Sequence, residues 1–443
     1  MSETPYSSPV ETGAGFEEPP SLKRDVAFWG MAGTQFFGAF NDNVFKQIVL
    51  LLAVRSTLGD IQGPAMVLFA APFIMFSGIA GFYSEKSSKK RIIVLSKAAE
   101  VLVMTLGMFL LLAYQFIGIV PNTVGGLSGL FVILFLMGAQ SAFFGPGKFG
   151  ILPEMLRERD LPAANGVVLM STFLAIIFGV ALAGPCVDFF IDRLNQPWLS
   201  SAVCVVIAVI GFAMSLTLRE TPPANPQLEF HRSALWIPDD VWKHLWKEDH
   251  PLLRAVLVTC MFWLVGGMVM PAVNNLGKEQ LLKDHPFANT WTSVLAASMG
   301  FGIALGCVTS GLVSRGRANF GLMRFGCAGT VVCLVILSLP DAKGSILLGY
   351  WGSLTALVLL GIFTGFFIVP LQVFLQSRPP KGQKGRIIAT MNLVNWIAIL
   401  LSALLYWVLF PIFERLNWVN GLFLVTAVFM FPVAAFYRPT NKQ

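Results

Sequence analysis

Asp42 and Lys46 stand four residues apart in QFFGAFNDNVFKQ, within an apolar run long enough to cross a bilayer. A charged side chain at bilayer depth costs at least about 2.5–3.5 kcal/mol on insertion scales, so each one calls for a partner or a ligand. The spacing puts the two charges on one helix face, where they can pair as a static ion pair. A second reading stays open beside it. Asn41 and Asn43 flank the acid, and three consecutive short polar side chains predict a locally unwound helix whose freed carbonyls, with Asp42, would hold a cation, either sodium or a proton. Asp42 lies ~24 Å into its span, beyond the midplane. Glu100 lies ~13 Å into a later span and is expected to face the interior, whereas Lys97, one turn earlier, is shallow enough to snorkel to the membrane surface. Lys148, in AFFGPGKFGILPEM, closes another run. There Gly145, Pro146 and Gly147 predict a bend that aims the ammonium inward, where it suits a phosphate; the plainer reading is a charge at the membrane surface. Asp188, near the end of its run, reads as a solvated end charge.

The elements that must position these groups follow from composition. Of 443 residues, 55% are hydrophobic and 12% charged, with mean hydropathy +0.70. A soluble domain would carry roughly twice that charge, and the apolar runs are continuous over about twenty residues rather than alternating. The fold class is therefore an all-α integral membrane protein. Twelve spans are expected, near 26–54, 64–83, 92–117, 127–147, 166–190, 198–218, 252–276, 291–313, 320–339, 346–375, 387–411 and 418–437. Most Lys and Arg fall on the side of the N-terminal tail, which makes both termini cytoplasmic by the positive-inside rule. Residues 1–25 read as a disordered tail with no cleaved signal. The bundles are expected at 26–218 and 252–438, joined by a polar linker at 219–251 with an amphipathic helix on the membrane surface. The six cysteines lie in apolar runs without metal-type spacing and read as packing residues.

The halves share an order of residues. GFFIVPLQVFLQSRPPKGQKGRIIATMN, at the end of the tenth span, repeats the Phe pair, proline, basic turn and Asn found after the fourth, with Phe366 and Phe367 answering Phe143 and Phe144. Two six-helix pseudo-repeats of the major facilitator type follow. GFYSEKSSKKR, between spans two and three, resembles that superfamily's signature loop, with Gly81 allowing close helix approach and Glu85, Lys86, Lys89 and Lys90 forming a charge relay that locks one face.

The second half holds no acid within its expected spans, and its interior polar candidates are amides: Asn274, Asn275, Gln372, Gln376, Asn392 and Asn395. A cavity ionic on one side and apolar on the other suits an amphiphile. His244 and Asp249 have the spacing found in glycerolipid acyltransferases, but a loop of about thirty residues leaves no room for a catalytic domain, so no enzyme is expected. Without a phosphate-binding glycine loop, no nucleotide-driven step, cofactor or nucleic-acid partner is expected.

QFFGAFNDN, FFGPGKFGILPEM and GFFIVPLQVFLQ together resemble the lysophospholipid transporter family of the major facilitator superfamily. The resemblance implies a lipid flippase that moves lysophosphatidylethanolamine or lysophosphatidylglycerol across the bacterial inner membrane to the cytoplasmic leaflet. A partner acyltransferase, expected here as a separate protein, then restores the second chain. It places the family's span-one acid on Asp42 and its motif lysine on Lys148, with Phe149 in place of Tyr; the arginine that some members carry in span seven is not present. The alternative is a proton-coupled exporter of amphiphilic drugs or siderophores, and a third reading is a scaffold or sensor that does not transport.

Overall fold

Apolar runs that cannot leave their amides unpaired in lipid fold as helices, and among the described residues no strand interrupts them. The computed structural model describes residues 20–157, 160–223, 225–227, 239–314, 319–340, 347–378 and 384–438; of the tail expected over 1–25, residues 1–19 lie outside them, while Leu22–Arg24 form a short 3-10 turn. Among the described residues twelve long helices run as α1 (Val26–Ala53), α2 (Gln62–Lys86), α3 (Lys89–Ile117), α4 (Val124–Met155), α5 (Leu161–Cys186), α6 (Trp198–Ser215), α8 (His250–Asn275), α9 (Ala288–Ser314), α10 (Phe320–Ser338), α11 (Gly349–Ser377), α12 (Lys384–Arg415) and α13 (Gly421–Phe436). The short α7 (Asp239–Lys243) precedes α8. α5, α7 and α8 each continue into a wider π-helical turn. Ten of the twelve are long and apolar enough to span a membrane by length and composition. The 16-residue α13 is shorter, and α1, which carries Asn41, Asp42, Asn43 and Lys46, is not among the ten. The helix starts carry the expected chemistry: Asp25 accepts from the amides of Ala27 and Phe28, Asp249 from that of Leu252, and Asn319 from that of Leu322.

The duplication read from the sequence is present in the packing. In the first half α2 packs on α4, α3 on α4 and α6, and α1 on α5 and α6. Adding six spans gives the second half, where α9 packs on α11, α10 on α11 and α13, and α8 on α12 and α13. The halves meet along two seams, α2 with α12 and α5 with α9, which this same relation exchanges.

Close approach fixes the second half at α9 and α11. A Cβ on Gly361 would collide with the carbonyl of Met299, and one on Gly365 with the backbone of Gly306 and Cys307. Gly361→Leu is expected to destabilise the protein by about 3 kcal/mol or more, read as a lower thermal midpoint in detergent. Gly81 is the control. Nothing lies within 4 Å of where a Cβ would stand, so the helix approach expected of it does not occur, and Gly81→Leu should change stability by no more than about 0.5 kcal/mol.

The α7 segment is amphipathic as its pattern requires: Val241 and Leu245 are buried, while Trp242 and Trp246 are exposed and lie against each other with ring centroids 5.4 Å apart. His244 pairs with Glu248 at 2.7 Å and Asp249 with Arg378 at 2.8 Å, so the acyltransferase-like spacing joins no functional pair.

Candidate functional site

Charge concentrates in one layer of the first half, contributed by α1, α3 and α4. Lys97 Nζ donates to Glu100 Oε2 at 2.6 Å, with side chains 2% and 1% exposed, and lies over the Phe144 ring at 4.5 Å. Glu100 Oε1 accepts from Asn41 Nδ2 at 2.8 Å. Beside this pair, Asp42 Oδ2 accepts from Ser141 Oγ at 2.6 Å, and Gln140 Nε2 donates to the same hydroxyl at 2.8 Å. Gly38 makes room for the lysine: a Cβ there would strike Lys97 Nζ. Lys148, on the last two turns of α4, lies within electrostatic reach of both Lys97 and Asp42. Three ammonium groups, on Lys46, Lys97 and Lys148, thus face two carboxylates, and the layer carries one formal positive charge in excess.

Several expectations change in detail. Lys46 does not pair with Asp42; its amine donates to Asn43 Oδ1 at 2.9 Å and lies over the Phe69 ring at 5.1 Å. Lys97 does not snorkel, because Glu100 and Phe144 satisfy it inside the bundle. α1 does not unwind at Asn41–Asn43: it is helical throughout, and Asn43 Nδ2 donates back to the carbonyl of Ala39. α4 likewise runs unbroken through Pro146, so Lys148 is placed by a continuous helix rather than by a break. Among the described residues no group of three His, Cys, Asp or Glu could hold a metal. Asp42 Oδ1, Asn41 Oδ1 and Gln140 Oε1 are buried oxygens with no hydrogen-bond partner among the described residues, the donor type that a hard cation such as sodium takes.

The signature loop also differs from expectation. Lys89 forms its ion pair with Glu154 of α4 and Lys90 reaches Glu220 at 3.7 Å, while Glu85 and Lys86 are exposed. Asp25 pairs with Arg219 at 3.2 Å. Every ion pair described on the tail face thus stays within one half.

The opposite face is joined across the halves. Gln47 donates to Asn274 at 2.7 Å and Asn274 to Gln62 at 2.8 Å, so Asn274 is fully buried in the seam and does not line a cavity. Lys278 donates to the carbonyl of Leu51 at 2.9 Å and to Asn289, and Tyr406 donates to Asp60 at 2.7 Å. Asp188 is 2% exposed, not solvated, because it accepts from Asn289 and Thr290 of α9. Gly63 sits against Ala403 and Trp407, and Gly184 against Asn289 and Thr290. Near the middle, Phe73 stacks on Trp396 with centroids 3.7 Å apart. The halves are therefore joined from mid-depth to the face opposite the tail.

Of the second-half amides, Gln372 is half-buried and Asn392 exposed; Asn395 is buried with an unpartnered Oδ1, and the side chain of Gln376 lies outside the described residues. The helices of this half reach further than the expected spans and carry Glu279 and Glu414 at their outer ends. Sequence reasoning missed Gln140 and Ser141, although a polar pair inside MGAQSAFFG was a visible signal, and it missed Trp396, whose role depends on a cross-half contact.

The family model of the Major Facilitator Superfamily matches residues 31–403. A protein named lysophospholipid transporter LplT from Serratia proteamaculans is 25% identical over 406 residues, 88% of this chain and 89% of that protein. One of the same name from Yersinia pestis is 26% identical over 407 residues, covering 88% and 87%. Among solved structures, the nucleoside transporter NupG superposes with a TM-score of 0.67 at 10% identity, covering 92% of this chain and 98% of that one. A peptide-bound transporter of the POT family gives 0.68 at 12% identity, covering 93% and 96%.

Proposed function

The chain belongs to the major facilitator superfamily, and from that premise we propose that it is a lysophospholipid transporter, carrying its substrate by alternating access to the leaflet on the tail side. That side is the cytoplasmic one in this reading, in a bacterial inner membrane, and reacylation by a partner acyltransferase would consume the product. The observation that carries it is the charged layer: three ammonium groups against two carboxylates leave one positive charge for an anionic phosphate. The likeness to LplT proteins over 88% of the chain supports the same substrate class.

In this mechanism Lys148 receives the phosphate, from its place on the last two turns of α4 within electrostatic reach of Lys97 and Asp42. Asp42, with its free Oδ1, receives the head-group amine or a coupling cation. The acyl chain lies toward the second half, whose spans bring no charge to this depth. Closure on the tail side and opening of the locked face complete the cycle, with Lys89 and Glu154 at the cytoplasmic end of α3 and α4.

Uptake of labelled lysophosphatidylethanolamine by spheroplasts lacking their own transporter tests this. Lys148→Gln is expected to lower uptake at least tenfold while the protein remains in the membrane. Unchanged uptake would remove Lys148 from the site, and no uptake by the unaltered chain for any lysolipid would favour an exporter of amphiphilic drugs.

A further inference from the structure

On the face opposite the tail, each of the two seams ends on a carboxylate of the first half. Along α5 and α9, Asp188 accepts from the backbone amides of Asn289 at 3.2 Å and Thr290 at 2.7 Å, and from Asn289 Nδ2 at 2.6 Å. A first-half acid thus caps the N-terminus of a second-half helix, where the helix dipole favours negative charge. Along α2 and α12, Asp60 accepts from the amide and side chain of Gln62, both at 2.9 Å, and across the seam from Tyr406 Oη at 2.7 Å and Asn275 Nδ2 at 3.5 Å. We propose that Asp188 and Asp60 are paired latches, one on each seam, that hold this face shut, and that Asp60 makes closure sensitive to acid on that side.

The difference between the latches is solvent access. Asp60 borders a cavity of about 810 Å³ lined also by Arg55 after α1, Glu279, Lys283 and Asp284 between α8 and α9, and Glu414 on α12, the charged groups that face it. Burial lifts its carboxyl from the ordinary range to about 6. When the halves part, the group returns to water and to an ordinary value near ~3.9. The closed state therefore binds the proton more tightly, so closure gains as pH falls through about 6 and the gain is complete below about 4. A neutral carboxyl still accepts hydrogen bonds at its carbonyl oxygen and no longer carries the charge that burial penalises. Between pH ~7.5 and ~5 the ratio of closed to open molecules should rise about tenfold.

The inference rests on the transport reading only in requiring that this face open, and its test uses no lysolipid, so the two can fail separately. Spin labels on cysteines introduced at the exposed Thr57 and Leu416, one on each half, report the separation across this face in lipid nanodiscs. The longer-distance population is expected to shrink about tenfold relative to the shorter one on going from pH ~7.5 to ~5, and Asp60→Asn should abolish that dependence. Tyr406→Phe, a conservative change, and Asp188→Asn should each enlarge the longer-distance population at both pH values and retain its pH response. A distance distribution identical at the two pH values, or a response that survives Asp60→Asn, would overturn the sensor. Distances unmoved by both Tyr406→Phe and Asp188→Asn would overturn the latches.

Discussion

Glu100→Ala should lower the stability of the protein by about 3–5 kcal/mol, the largest effect expected of any single change in the charged layer. The truncation strands the Lys97 ammonium, 2% exposed, without the carboxylate that it contacts at 2.6 Å, and leaves Asn41 Nδ2 without an acceptor. The Phe144 ring, 4.5 Å from the ammonium, offers a contact of about 2 kcal/mol, less than the loss of the carboxylate. Replacing both partners with apolar residues of similar size, Lys97→Met with Glu100→Leu, removes the stranded charge and should restore most of the loss. Thermal unfolding in detergent of Glu100→Ala and of the double variant makes the comparison. If the double variant is no more stable than Glu100→Ala, the pair is not the source of the effect.

Asp42→Asn should abolish lysophosphatidylethanolamine uptake, a fall of at least tenfold, while changing stability little. The amide keeps an oxygen for the Ser141 hydroxyl at 2.6 Å, so the packing of α1 on α4 survives. What disappears is the negative charge, and the layer moves from one excess positive charge to two. A phosphate should then still bind, while an amine or a coupling sodium loses its counter-charge. Uptake measured with sodium and proton gradients varied separately tells the cases apart. Retention of sodium dependence in Asp42→Asn would place the ion elsewhere.

Helix number and the duplicated halves were legible in the sequence because each is a one-dimensional property: apolar length or repeated order. Partner choice was not. Lys46 at i+4 from Asp42 satisfies the helical pairing rule, yet Asn43 and Phe69 outcompete the acid, which is held by Ser141 from another helix. Proline and asparagine in α4 and α1 signal breaks locally, but in a bundle the neighbouring helices and side-chain bonds such as Asn43 to Ala39 keep the backbone helical. Asp188 near the end of its run looked solvated because the sequence does not show that α9 begins beside it.

That last contact bears on synthesis. Asp188 is made about a hundred residues before Asn289 and Thr290, which supply its amide donors. At roughly 5–20 residues per second, the ribosome leaves its carboxylate without those donors for about 5–20 s. Until then the acid at the far end of the first bundle depends on water at the membrane surface or on the insertion machinery for its hydrogen bonds.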